Sequence, residues 1–230
     1  LVWGVCLILL GLAALSVFPD EPKQDALTAK QLLDRMSKAY ADCKTYRDSG
    51  VVTTLFVQDT GNRTVEKPFK TAFVRPDQFR FEYKEEIRRY IIWSKRKELQ
   101  TWWDVKPGIE KPGSLLLAVA GATGVSSGSA ARIPAMLMPD RLGGWGGVYI
   151  SGAKRIEDGK LEKVECFCVE GKYFGNTITL WVDKKSYLVR RVDEQAKFAN
   201  FRTEQTTTYD PVVDGEITDK MLEFDPPKQR

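Results

Sequence analysis

Four cysteines and no histidine set the limits on the chemistry open to this 230-residue chain. Without imidazole there is no Ser-His-Asp or Cys-His nucleophile pair, no histidine-ligated metal and no ordinary proton shuttle near neutral pH. Carboxylates, lysines, tyrosines and thiols remain. The Asp and Glu residues are scattered, and no spacing singles out two of them as an acid–base couple. No catalytic site is expected. Cys6 lies in an apolar N-terminal run, which leaves Cys43, Cys166 and Cys168 for the folded part. Cys166 and Cys168 are two apart on a predicted strand, so they share a face and are poorly placed to bond each other. Cys43 could pair with either, and the odd count leaves one thiol free. A Cys-x-Cys with no second pair is a poor metal site. The run Gly143-Gly144-Trp145-Gly146-Gly147 lacks the flanking strand and helix of a phosphate-binding turn. Neither a metal nor a cofactor is expected.

The patterning that does carry information is apolar. In FKTAFVRPDQFRFEYK, residues 69–84, Phe69, Thr71 and Phe73 alternate with Lys70, Ala72 and Val74. After Pro76 and Asp77, Phe79, Phe81 and Tyr83 alternate with Arg80, Glu82 and Lys84. A period of two places the aromatic side chains on one strand face and the charges on the other. Burying such side chains contributes roughly 1.5–3 kcal/mol each, enough to fix the register. That holds whether they pack on the protein's own core or on something carried.

The elements that must position this face follow from the rest of the chain. Residues 1–18 are uncharged and almost wholly apolar, which reads as a secretory signal core or a membrane anchor. Residues 19–26 read as a polar linker, and residues 27–230 as one domain. Leu32, Leu33, Met36, Ala39 and Tyr40 recur at helical spacing behind a Thr28/Gln31 capping box. Two runs of closely spaced β-rich segments follow, which predicts antiparallel hairpins in one large sheet that curls. Between the runs, residues 111–147 form a glycine-rich insert with few charges. Short helices are expected at residues 115–120 and 133–137, with a mobile Gly/Ser joint between them. An apolar segment of this length must cover something. The fold class is therefore α+β, one large curved antiparallel sheet whose concave face is covered by an N-terminal helix and the insert. A surplus of four positive charges, interspersed with acidic residues, gives no clustered basic face for nucleic acid.

KTAFVRPDQFRFEY resembles the strand–turn–strand of the LolA/LolB-like lipoprotein carriers and their relatives among periplasmic outer-membrane lipoprotein-sorting proteins. The matching residues are Arg75, Pro76, Phe79, Arg80 and Phe81. LWVDKKSYLVRRV is similar to a later hairpin of that group, through Trp181, Asp183 and residues 188–192. TTYDPVVDGEITDKMLEFDPP is similar to its closing strand and tail, through Phe224 and Pro226. The resemblance covers most of residues 26–227 and implies a half-barrel with a hydrophobic cavity. It implies a periplasmic, monomeric carrier or binder of lipid or lipoprotein acyl chains. The alternative is an envelope sensor or adaptor that binds another protein with the same fold. The candidate cavity wall is Phe79, Phe81, Tyr83, Ile92, Trp103, Ile178 and Leu180. The candidate cover, or lid, is Leu116, Leu117, Met136 and Leu137.

Overall fold

The computed structural model of the chain describes residues 26–85, 87–142 and 150–227. The expected leader, most of the linker and the glycine-rich pentad at 143–147 lie outside the described residues. The predicted first helix is α1, Ala29–Asp42. Its capping box closes as expected: the Gln31 amide donates to Thr28 Oγ1 at 3.3 Å, and Thr28 N donates to Gln31 Oε1 at 2.9 Å. Leu32, Leu33, Met36 and Tyr40 are buried on its inner face.

The first run of strands is β1 (Thr45–Gln58), β2 (Gly61–Val74), β3 (Gln78–Glu85), β4 (Arg88–Lys95), β5 (Glu98–Trp103) and β6 (Lys106–Glu110). The insert supplies α2 (Leu115–Val125), α3 (Ser129–Leu137) and α4 (Pro139–Leu142). The second run is β7 (Ser151–Leu161), β8 (Val164–Tyr173), β9 (Asn176–Asp183), β10 (Val189–Lys197), β11 (Phe201–Tyr209) and β12 (Val212–Val213). A short 3-10 turn, Asp219–Leu222, precedes the tail.

All strands pair antiparallel in one sheet of order β6-β5-β4-β3-β2-β1-β11-β10-β9-β8-β7, with β12 beside β1. The two ends, β6 and β7, do not pair with each other, so the curved sheet is an incomplete barrel. The two runs meet where β1 pairs with β11, joining distant parts of the chain. Gly50 sits at this seam, opposite Tyr209 on one side and Phe69 on the other. A Cβ there would lie 2.4 Å from the Phe69 ring and 2.3 Å from the Thr208 carbonyl, so only glycine lets these residues close together.

The insert departs from expectation in one respect. In place of a mobile Gly/Ser joint, α2 continues through Gly121 and Gly124, and only residues 126–128 separate it from α3. Gly128 makes the bend in a left-handed conformation (φ 89°). Each glycine weakens a helix by about 1 kcal/mol, but burial of Leu115, Ala118, Val119 and Ala122 outweighs that. Every residue of α3 is buried.

Candidate functional site

Register assigns the faces. Phe79, Phe81 and Tyr83 on β3 lie opposite Phe73, Thr71 and Phe69 on β2, and opposite Ser94, Ile92 and Tyr90 on β4. Trp103 on β5 continues the row from Tyr90. On the other limb, Leu180 and Ile178 on β9 lie opposite Val192 and Glu194 on β10. These side chains share one core with α1, α2 and α3. The predicted wall residues therefore come together on the inner face, with Phe79, Phe81, Tyr83, Ile92, Ile178 and Leu180 buried and Trp103 half-buried. Aromatic contacts knit the wall: Phe69 stacks on Phe81 at 6.2 Å and meets Tyr209 edge-on at 5.5 Å.

Of the cover residues, Met136 and Leu137 are buried and Leu116 packs partly against the core. Leu117, 62% exposed, stands on the solvent side of α2. At one end of the inner face is a cleft of about 390 Å³, lined by Lys67, Tyr83, Glu85, Arg88, Trp103, Val105 and Val125. It brings two wall candidates to an opening beside the end of α2. The hairpin tips at this same end carry exposed apolar side chains: Ile87 between β3 and β4, Val105 between β5 and β6, Phe174 between β8 and β9, and Phe198 after β10.

Four polar ties fasten the cover to the sheet. Lys67 Nζ donates to the Val125 carbonyl at 2.8 Å, and Gln205 Nε2 to the Ser127 carbonyl at 3.1 Å. Arg132 Nη2 pairs with Glu194 Oε2 at 2.9 Å. Arg75 Nη2 donates to the carbonyls of Tyr40 and Leu137, each at 3.2 Å. The terminal carbonyls of α1 and α3, which have no helical partner of their own, are thus satisfied by one guanidinium.

The inner face also holds polar groups that the periodic reading missed. Asp48 shares it with Tyr46 and Val52 and is buried. Tyr46 Oη donates to Asp48 Oδ2 at 2.8 Å. Burial pushes the Asp48 carboxyl up to about 6, against the pull of the Tyr46 hydroxyl. Arg132 is 4% exposed. Asp48 Oδ1, Thr71 Oγ1, Thr207 Oγ1, Tyr209 Oη and both Nε and Nη1 of Arg132 complete no hydrogen bond among the described residues. Asp48 faces Thr71, and Tyr209 and Thr207 follow on the next two rungs of the same face. The sequence carried one signal for this. Arg132 is the only charged residue between Lys111 and Asp140, and a lone charge in an apolar insert is a polar group about to be buried.

Cys43, Cys166 and Cys168 are buried and unbonded, so the pairing of Cys43 with a β8 thiol does not form. Cys166 and Cys168 alternate with the inward Phe167 and Val169, which puts both on the outer face of β8, whereas Cys43 belongs to the inner core. Burial pushes both β8 thiols up to about 11, which makes them poor nucleophiles. Among the described residues no helix is long and apolar enough to cross a membrane.

No family profile matches the chain, and no curated protein matches its sequence. Solved structures align with it in three dimensions. LprF from Mycobacterium bovis aligns at 13% identity and a TM-score of 0.48, over 83% of this chain and 94% of that one. The MucA/MucB complex from Pseudomonas aeruginosa gives 10% identity and 0.44, over 86% and 61%. A LolA superfamily protein from Nitrosomonas europaea gives 9% identity and 0.35, over 86% and 99%.

Proposed function

We propose that this protein binds lipid or lipoprotein acyl chains between the inner face of its half-barrel and the α2–α3 cover, as a non-catalytic periplasmic carrier. The observation that carries the reading is the pairing of an aromatic and aliphatic wall with a largely apolar cover whose only charge is Arg132. An ordinary closing helix, such as α1, is amphipathic with a charged outer face. The insert offers apolar surface on more than one side, which suits a wall that must sometimes face an alkyl chain.

The energetics favour exchange over trapping. Burying an alkyl chain gains about 0.8 kcal/mol per CH₂ relative to water, but a chain taken from a bilayer is already buried. The net gain is small, so binding needs a dry groove and a cover that shifts at modest cost. The cleft between Trp103 and Val125 is the natural entry, and the exposed side chains on the adjacent hairpin tips would meet a lipid phase there. The unpartnered polar atoms around Asp48, Thr71, Tyr209 and Arg132 would receive a guest's ester or hydroxyl groups.

Mass spectrometry of organic extracts of the purified protein tests this directly, together with uptake of a fluorescent fatty acid. Co-purified lipid and saturable uptake are expected. An empty extract with no uptake overturns the carrier reading, and stoichiometric capture of one envelope protein in its place would favour the adaptor alternative.

A further inference from the structure

We infer that the cleft between the outer face of the sheet and the C-terminal tail is a binding site for a small organic anion bearing a phosphate or carboxylate. It lies on the opposite side of the sheet from the proposed acyl site and does not depend on that reading. The cleft encloses about 570 Å³, within the usual range for small-molecule sites. Its floor is Arg47 and Ser49 on β1 with Lys70 and Ala72 on β2, and its roof is Thr218, Lys220 and Met221 of the tail.

The roof is firmly held. Arg80 Nε donates to the Glu223 carbonyl and Trp93 Nε1 to the Leu222 carbonyl, each at 2.7 Å. Arg80 and Arg89 both reach Asp225, at 2.7 and 3.0 Å, and both reach Glu82. Burial opposes ionisation of Glu82 and Asp225, but the two guanidiniums outweigh it and hold both carboxyls below their ordinary range. These two acids are therefore fully engaged by the two arginines. Asp48, which also borders the cleft, turns its carboxyl to the inner face.

What remains is a cationic surplus, with Arg47, Lys70 and Lys220 set against one exposed carboxylate, that of Glu223 in the tail. Arg47, Lys70 and Lys220 make no ion pair or side-chain hydrogen bond among the described residues, and Arg47 Nε is buried without a partner. Glu82 lies directly across the ladder from Lys70, yet Arg80 and Arg89 take it instead. Arg47 faces Ala72, and Lys70 faces Ser49, so small side chains separate the two cations diagonally and leave room between them. A buried guanidinium N–H without an acceptor is costly, and an anion seated there would satisfy it with a charge-assisted bond. The Ser49 and Thr218 hydroxyls can add donors, and Met221 offers the organic part of the ligand an apolar contact.

The test is titration of the folded protein with inorganic phosphate and, separately, with phosphatidylglycerol vesicles against phosphatidylcholine vesicles. Trp93, tied to the tail, reports by fluorescence. Saturable, salt-sensitive binding is expected, weakened about ten- to hundredfold in R47Q/K70Q. Lys185→Gln, in the β9–β10 turn, should leave binding unchanged. Response to phosphate identifies a soluble anion as sufficient, and response to phosphatidylglycerol vesicles alone identifies a headgroup. No response to either, or equal response in R47Q/K70Q, overturns the site. Thermal melts confirm that the variants are folded. Lys220→Gln, on the exposed tail, gives a second variant should the strand pair prove unstable.

Discussion

Arg75, in the turn after β2, donates through Nη2 to the carbonyl of Leu137 at the end of α3, 62 positions further along the chain. The same side chain reaches Cys43 and Tyr40 at the end of α1, so one planar fork holds two helix ends against the sheet. Arg75→Ala should lower stability by roughly 2–3 kcal/mol, since it removes charge-assisted bonds and strands helix carbonyls. Arg75→Lys should recover only part, because an ammonium cannot span the fork. Urea denaturation of the three proteins checks both expectations.

Asp48 makes stability depend on pH. Its carboxyl is pushed up to about 6 by burial, above the ordinary value of 3.8, so the folded chain binds more protons than the unfolded chain in that window. Stability is then highest below about pH 4 on this account and falls as pH rises through about 6. Asp48→Asn should remove this slope and stabilise the protein at pH 7.5 by up to about 3 kcal/mol, the equivalent of about two pKa units. Melting curves between pH 4 and 8 should show the wild type falling behind the variant above pH 5. Parallel curves would show that the carboxyl titrates normally.

Buried Arg132 and half-buried Glu194 form an ion pair at 2.9 Å. Removing Arg132 leaves the half-buried Glu194 carboxylate without its partner, so Arg132→Met alone should cost about 2–3 kcal/mol. Arg132→Met with Glu194→Gln should recover most of that loss. A double-mutant cycle in denaturant measures it, and additive effects would mean that the pair is not coupled.

Much of this was legible in the sequence. Alternation assigned Phe79, Phe81 and Tyr83 to one face, and helical spacing with the Thr28/Gln31 box placed α1. Other features were not. The segment of β6 contains a proline and a glycine, both poor strand formers, yet it pairs as an edge strand, where proline is tolerated. Gly121 and Gly124 read as a joint because propensity is local, while the burial that keeps them helical is not. Asp48 and Arg80 illustrate the deeper limit. Alternation tells which face a residue takes but not what closes over that face. Asp48 goes under the seam of two distant strand runs, and Arg80 goes under the C-terminal tail.

The proposed acyl entry makes the sharpest prediction about the inner site. Val125 ends α2 at the cleft shared with Tyr83 and Trp103, and its carbonyl is held by Lys67. Val125→Trp would fill that cleft with an indole while keeping an apolar side chain at a half-buried position. Uptake of a fluorescent fatty acid should slow or weaken roughly tenfold, about 1.4 kcal/mol, with little change in melting temperature. Leu117→Arg, on the exposed side of the same helix, should leave uptake unaltered. If Leu117→Arg blocks uptake and Val125→Trp does not, the chain enters over the outer surface of the cover, and Trp103 is a packing residue of the wall alone.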